Sequence, residues 1–173
     1  MTSPSAPAYV VRKAVASDIP RLHALLAAYA ANGEMLPRPL TELYEHLRDF
    51  FVAEANGQLI GAAGLQVFWA DLGEVRTWGV DSDFRMGGVG RALVNACVGE
   101  AAALGIRRIF ALTYRADFFK KLGFETVDKA SLPHKVWTVC INCSKFPACD
   151  EEAVVLQLDA EGRPLGGVSA WHV

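Results

Sequence analysis

Apolar positions along this chain follow several distinct rhythms, and each predicts an element. "YVVRKA" (9–14) is a short β-branched run that reads as a first strand. Behind Ser17, a capping residue type, Ile19, Leu22, Leu25, Leu26 and Tyr29 recur at helical spacing, and Asn32-Gly33 closes that helix. A second helix is expected from about Thr41, with Leu43, Tyr44, Leu47 and Phe50 on one face. "FFVAEA" and "QLIGAAGLQVF" flank Asn56-Gly57, a dipeptide suited to a two-residue type I′ turn, so they read as a hairpin. A strand over Glu74–Val80 follows, then a glycine-rich loop and a long helix to Leu104 closed by Gly105. "RIFALT" (108–113) reads as a buried strand, "ADFFKKL" as a short helix, "GFETV" as the opening of a strand and "AVVLQL" (153–158) as a late strand. The order β-α-α-β-β-β-α-β-α-β plus a late strand predicts one α/β domain over 9–158. Residues 1–8 are expected to be a disordered leader, and the Gly-rich 159–173 a peripheral tail.

Composition narrows the class. The 173 residues fit a single core. With 52% hydrophobic and 21% charged residues the chain is expected to fold as a soluble protein. A formal net charge of -2 argues against a nucleic-acid partner held by bulk electrostatics. No run of apolar residues is long enough for a membrane span, and "MTSPSAPAY" lacks the pattern of a signal peptide, so a cytoplasmic location is expected.

The chemistry begins at "DFRMGGVGRALV" (83–94). Glycine carries an entropic cost, so a cluster before a helix calls for a reason, most often backbone N–H groups wrapping a phosphate. The dinucleotide fingerprint fails because Leu93 stands where its third glycine belongs, and the Lys-Ser/Thr of a P-loop is absent. What remains is Arg85-x-x-Gly88-x-Gly90 between a strand and a helix, where the amides around Met86, Gly87, Val89 and Arg91 could hold a pyrophosphate. A tight strand-to-helix connection without ligand is the alternative reading.

This loop resembles the Arg/Gln-x-x-Gly-x-Gly/Ala loop of the Gcn5-related N-acetyltransferase (GNAT) superfamily, and "FFKKLGF" (118–124) resembles that superfamily's late FYxKxGF signature. The resemblance covers about residues 9–128. It implies a mixed, mostly antiparallel sheet with splayed middle strands, flanked by helices, and acetyl-CoA as co-substrate. "MLPRPLTELYEHLRDFFVAE", "GEVRTWGV", "ALTYRADFFKKLGF" and "LPHKVWTVCINCSKFPACDE" look like the narrower group of short bacterial N-acetylglutamate synthases. Those enzymes acetylate the α-amine of glutamate at the start of arginine biosynthesis, and some relatives prefer glutamine. By the same resemblance Trp78, Gly79 and Val80 pair through their backbone with the pantetheine arm, Phe118 and Phe119 line the cofactor, and a homodimer is open.

Acetyl transfer needs a base for the ammonium, stabilisation of the carbonyl oxygen and a way for the thiolate to leave. Glu74 matches the position of the superfamily's catalytic glutamate; alternation places it on one face with Arg76 and Trp78. Phe119 stands where that signature often carries an acidic tyrosine, so Tyr114 is the substitute candidate. A thiol of pKa roughly 8.5 also leaves tolerably well without an acid. Arg38, Arg76, Arg115 and Lys135 are candidates for holding substrate carboxylates, with Arg38 and Arg76 preferred because a guanidinium forks onto a carboxylate. A polyamine acceptor would want carboxylates there instead, and a protein acceptor an open groove. His134, Cys140, Cys143 and Cys149 could close a zinc tetrahedron, but a single Cys-x2-Cys pair makes buried thiols the expectation and no metal is called.

Overall fold

The first helix forms where the periodicity places it, although Ser17 does not cap it. The computed structural model describes residues 8–133, 140–143 and 145–166. By internal packing these fall into two units, one over 1–65 with 75–100 and the other over 66–74 with 101–173. The strands are β1 (Val10–Lys13), β2 (Phe50–Ala55), β3 (Gln58–Trp69), β4 (Leu72–Val80), β5 (Arg108–Thr113), β6 (Glu125–Val127) and β7 (Glu152–Gln157). The helices are α1 (Ile19–Ala31), α2 (Leu40–Glu45), α3 (Val89–Ala103) and α4 (Ala116–Lys120). Strand order is β1-β2-β3-β4-β5-β7-β6, a mixed sheet, with β3 and β4 each running from one unit into the other.

In the first unit the hairpin is as its turn dipeptide predicts. Asn56 and Gly57 both take positive φ, at 51° and 75°, the geometry a type I′ turn demands. β1 and β3 flank β2 antiparallel. Ile19, Leu22 and Leu26 of α1 pack with Leu43, Phe50, Val52, Leu59 and Ala62 into one core cluster. The second helix ends at Glu45, earlier than expected. Leu47 lies in a 3-10 turn and Phe50 opens β2, so Leu43, Leu47 and Phe50 meet one core from three elements, while Tyr44 of the expected stripe is exposed.

Ser17 is exposed, and the residue that organises the entry to α1 is its neighbour Asp18, 0% exposed. Its carboxylate accepts from Arg12 Nη1 at 2.6 Å, Arg12 Nη2 at 3.0 Å, Arg21 Nη2 at 2.7 Å and the Val15 amide at 2.9 Å. Arg12 also reaches Glu54 Oε2 of β2 at 2.6 Å. A buried carboxylate is tolerated only when paired and hydrogen-bonded in this way.

In the second unit β7 arrives late in the chain but lies between β5 and β6, antiparallel to both. β4 joins β5 in parallel, over Leu72–Glu74 against Arg108–Phe110 and no further. Phe68, Leu72, Phe110, Leu132, Ala153 and Val155 form the core here. After β7 the chain folds back, Leu158 bridging Pro164 and the Leu165 amide donating to Gln157 O at 2.7 Å.

Asp18 sets a pH dependence. The Arg12 hydrogen bonds hold its carboxyl at about 2, below the ordinary 3.8. A depressed carboxyl contributes stability fully above its unfolded pKa and loses it as pH falls toward the folded value. Asp18→Asn is expected to cost about 2–3 kcal/mol near neutral pH, by the worth of hydrogen bonds to a charged group. Urea unfolding of both proteins at pH 6 and at pH 2.5 checks this, since the gap should narrow in acid.

Candidate active site

β4 carries the residues around which the site is built, and its regular alternation breaks partway. Gly73 and Val75 are buried while Glu74 and Arg76 are half-buried, as a strand predicts. Then Thr77 and Trp78 are both half-buried, and Gly79 and Val80 both buried. The cause is Thr77, whose φ is +57°. A β-branched residue in the left-handed region is strained by about 1–3 kcal/mol and needs surrounding structure to hold it. Glu74, Arg76 and Trp78 are all half-buried, and the positive φ of Thr77 interrupts the alternation between Arg76 and Trp78.

Arg38 supplies that hold. Its Nη1 donates to Thr77 Oγ1 at 2.6 Å and its Nη2 pairs with Glu42 of α2. Its side chain is largely buried. The sequence marked Arg38 as a cation for a substrate carboxylate; the structure adds that the guanidinium already braces the irregular point of β4. Thr77 and Glu42 went unmarked because neither residue type signals a role in isolation.

The Gly-rich turn follows directly. Gly88 takes φ +76°, the Gly87 amide donates to Phe84 O at 3.2 Å, and the Gly88 carbonyl accepts from Ala92 to start α3. The first-turn amides of α3, Val89 to Arg91, have no acceptor within the helix, and the helix dipole adds partial positive charge there. Met86 at the tip is 99% exposed. Trp78 Nε1 donates to Gly90 O at 3.3 Å, tying β4 to the first turn. A Cβ at Gly61 of β3 would stand 2.9 Å from Leu93, so α3 lies close on the strands. These features fit a phosphate-bearing ligand.

Arg85 lies 3.6 Å from Glu34, with its guanidinium 5.7 Å from the centroid of the Tyr29 ring. Tyr29 also accepts from the Val80 amide at 2.7 Å and donates to the Val80 carbonyl. Beside it is an open pocket of about 110 Å³ lined by Leu25, Ala28, Asn32, Asp81 and Ser82 together with Tyr29 and Arg85. The sequence read Tyr29 as a core position only.

In the second unit Glu74 pairs with Phe110 across the parallel ladder. Burial, reinforced by the nearby Glu74 carboxylate, pushes the Cys140 thiol above its ordinary value. Tyr114 is 38% exposed; its hydroxyl donates to Asp150 Oδ1 at 2.7 Å and accepts from Lys145. Arg115 is exposed at the head of α4. Phe118 is half-buried, but Phe119 is 1% exposed, edge-on to Phe118 and Phe124, so that ring belongs to the core and presents no surface to a ligand. Among the described residues no three His, Cys, Asp or Glu side chains converge as a metal site. His134 and Lys135 lie outside the described residues.

The acetyltransferase (GNAT) family description matches residues 19–124. The chain belongs to the GNAT family. As a family member it is an acetyl-CoA-dependent N-acetyltransferase, as the glycine loop implied. Among GNAT relatives, an uncharacterized N-acetyltransferase of Chlorobaculum tepidum is 38% identical over 86% of this chain and 96% of its own length. An amino-acid acetyltransferase of Mycobacterium tuberculosis is 36% identical over 74% of this chain and 75% of its own. Among solved structures, N-acetylglutamate synthase from Neisseria gonorrhoeae, complexed with coenzyme A and N-acetyl-glutamate, aligns with a TM-score of 0.80 at 28% identity. That alignment covers 88% of this chain but 35% of the synthase, so the chain spans about a third of that relative. No helix among the described residues is long and apolar enough to cross a membrane.

Thr77→Val keeps the branched side chain and removes only the acceptor of Arg38. It is expected to lower stability by about 1–2 kcal/mol, measured by urea unfolding. An unchanged midpoint would mean that the brace is idle.

Proposed function

We propose that this protein transfers acetyl from acetyl-CoA to the α-amine of an amino acid, with L-glutamate the first candidate. The observation that carries this reading is the extended likeness to an amino-acid acetyltransferase of similar size, covering three quarters of both chains. The N-acetylglutamate synthase alignment supports glutamate as the acceptor to test first.

In this reading the loop from Arg85 to Arg91 takes the pyrophosphate, with Gly87, Gly88 and Gly90 letting the backbone close on it. Trp78 to Val80 offer backbone groups to the pantetheine amides, and Phe118 packs beside the arm. Glu74 takes the proton from the substrate ammonium, directly or through water, so that a neutral amine attacks the thioester. Arg76 holds one substrate carboxylate. Arg38 is a candidate for the other substrate carboxylate, which would draw its guanidinium from Thr77 and Glu42, so its grip and its bracing of β4 are linked. Tyr114 returns a proton to the departing thiolate, its hydroxyl turning away from Asp150 to do so. Lys135 keeps its place as a candidate for the second carboxylate.

Release of free thiol from acetyl-CoA, measured across amino acids and polyamines against a no-acceptor blank, tests the substrate. Saturable turnover with glutamate well above glutamine is expected, and a glutamine preference would move the substrate while keeping the mechanism. Coenzyme A binding with silence across the panel would favour a non-catalytic acyl-CoA sensor. Glu74→Gln is expected to lower kcat roughly a hundred- to ten-thousand-fold near neutral pH, the usual worth of a positioned base. Turnover unchanged in that variant would remove Glu74 from the role. Arg76→Ala is expected to raise KM for glutamate by roughly tenfold, the loss of about one charge-assisted pair, with KM for acetyl-CoA unmoved.

A further inference from the structure

The backbone of Val80 raises an accounting question. Asp81 donates its N–H to Ile60 O of β3 at 2.8 Å. Consecutive strand residues send their polar groups to opposite edges, so the N–H and C=O of Val80 face away from β3. A buried amide needs a partner, and Val80 is buried. The partner is a side chain. The Tyr29 hydroxyl accepts from the Val80 N–H at 2.7 Å and donates to the Val80 carbonyl. One phenol thus makes the same two-way exchange that a backbone amide of a neighbouring strand would make. Its ring is fixed by contact with Gly79, where a Cβ would stand 3.0 Å from the ring edge, and the side chain is only 7% exposed.

We propose that Tyr29 is an affinity-setting residue for acetyl-CoA: its hydroxyl competes with a pantetheine amide for the N–H and C=O of Val80. This rests on the reading above that Val80 receives the pantetheine arm. A backbone N–H has one hydrogen, so it serves the phenol or a ligand carbonyl well, not both. The same ring lies 5.7 Å from the Arg85 guanidinium, which Glu34 approaches to 3.6 Å, so a ligand with phosphates and no pantetheine separates an effect at Arg85 from one at Val80. The pocket bordered by Leu25, Asn32 and Asp81 lies beside the ring, so Tyr29 is not enclosed on every side. The amide-like exchange at Val80 therefore protects a buried strand edge and sets a threshold that only a ligand with its own amide can pass.

The test compares wild type with Tyr29→Phe, which keeps the ring on Gly79 and removes only the hydroxyl. Two ligands are titrated calorimetrically: coenzyme A, and adenosine 3′,5′-bisphosphate, which carries phosphates but no pantetheine. Hydrogen exchange at the Val80 amide is followed in parallel. The expected result is coenzyme A binding tightened by roughly 3- to 10-fold in the variant, the net worth of one hydrogen bond, with the nucleotide unchanged. Without ligand, the Val80 amide should exchange about tenfold faster in the variant, and coenzyme A should slow it again. Equal or weaker coenzyme A binding by a variant with an unchanged melting temperature would overturn the proposal. So would equal tightening of both ligands, which would place the effect at Arg85. Tight coenzyme A binding that leaves the Val80 amide exchanging fast would show instead that the pantetheine reading of Val80 is wrong. Tyr29→Met, also without a hydroxyl, serves if the phenylalanine variant does not fold.

Discussion

What β4 does with its backbone groups is the constraint on which the candidate site depends. A strand can offer its N–H and C=O groups to a neighbouring strand, to a side chain or to a ligand, and buried ones cannot be left over. The first residues of β4 give theirs to β5 in a parallel ladder that ends at Glu74 and Phe110. Farther on, Thr77 turns to positive φ, the burial pattern slips by one position, and Val80 gives both its groups to a phenol. The irregularity is concentrated in the stretch that the glycine loop follows. Strain at such a place costs free energy and persists because Arg38 and Glu42 hold it from α2 and the segment before it.

The cations of the first unit show a second regularity. Arg38 is paired with Glu42, Arg85 lies near Glu34, and Arg12 is shared between Asp18 and Glu54. A guanidinium already paired is held in a defined orientation, which reduces the rotamer freedom lost when an anion arrives. The same pairing makes an incoming carboxylate or phosphate compete with an internal acid, which favours ligands able to engage two donors at once. At Asp18 the outcome is purely structural, because the carboxylate is fully buried and the four donors around it link β1, α1 and the connection between them.

Much of the fold was legible because its signals are local. Asn56-Gly57 specifies two positive φ angles, Gly88 and Gly105 mark the ends of α3, and the spacing of Ile19, Leu22 and Leu26 gives α1. Where the reading went astray, a residue was claimed by partners distant in sequence. Phe50 fits both the stripe of a helix and the start of "FFVAEA", and packing decides for β2. Ser17 is a good capping type, yet Asp18 takes the organising role because two arginines reach it. β7 was expected as a late strand, but nothing in "AVVLQL" says that it enters between β5 and β6. Phe119 is similar: the signature marks the position, and only packing reveals that its ring belongs to the core.

The candidate site divides along the same line. The sequence by itself determined the Gly-rich turn, the helix behind it, the carboxylate at Glu74 and the arginines nearby, because residue type and short spacing limit backbone conformation and charge. It also carried enough pattern to place the chain in its family. Only the tertiary structure decided which of these groups are already engaged. The hydroxyl of Tyr29 on Val80, the guanidinium of Arg38 on Thr77 and the Lys145–Tyr114–Asp150 contacts join residues 31 to 51 positions apart. A hydrogen bond depends on distance and angle in space, and across such separations neither is set by the intervening sequence until the whole chain has packed.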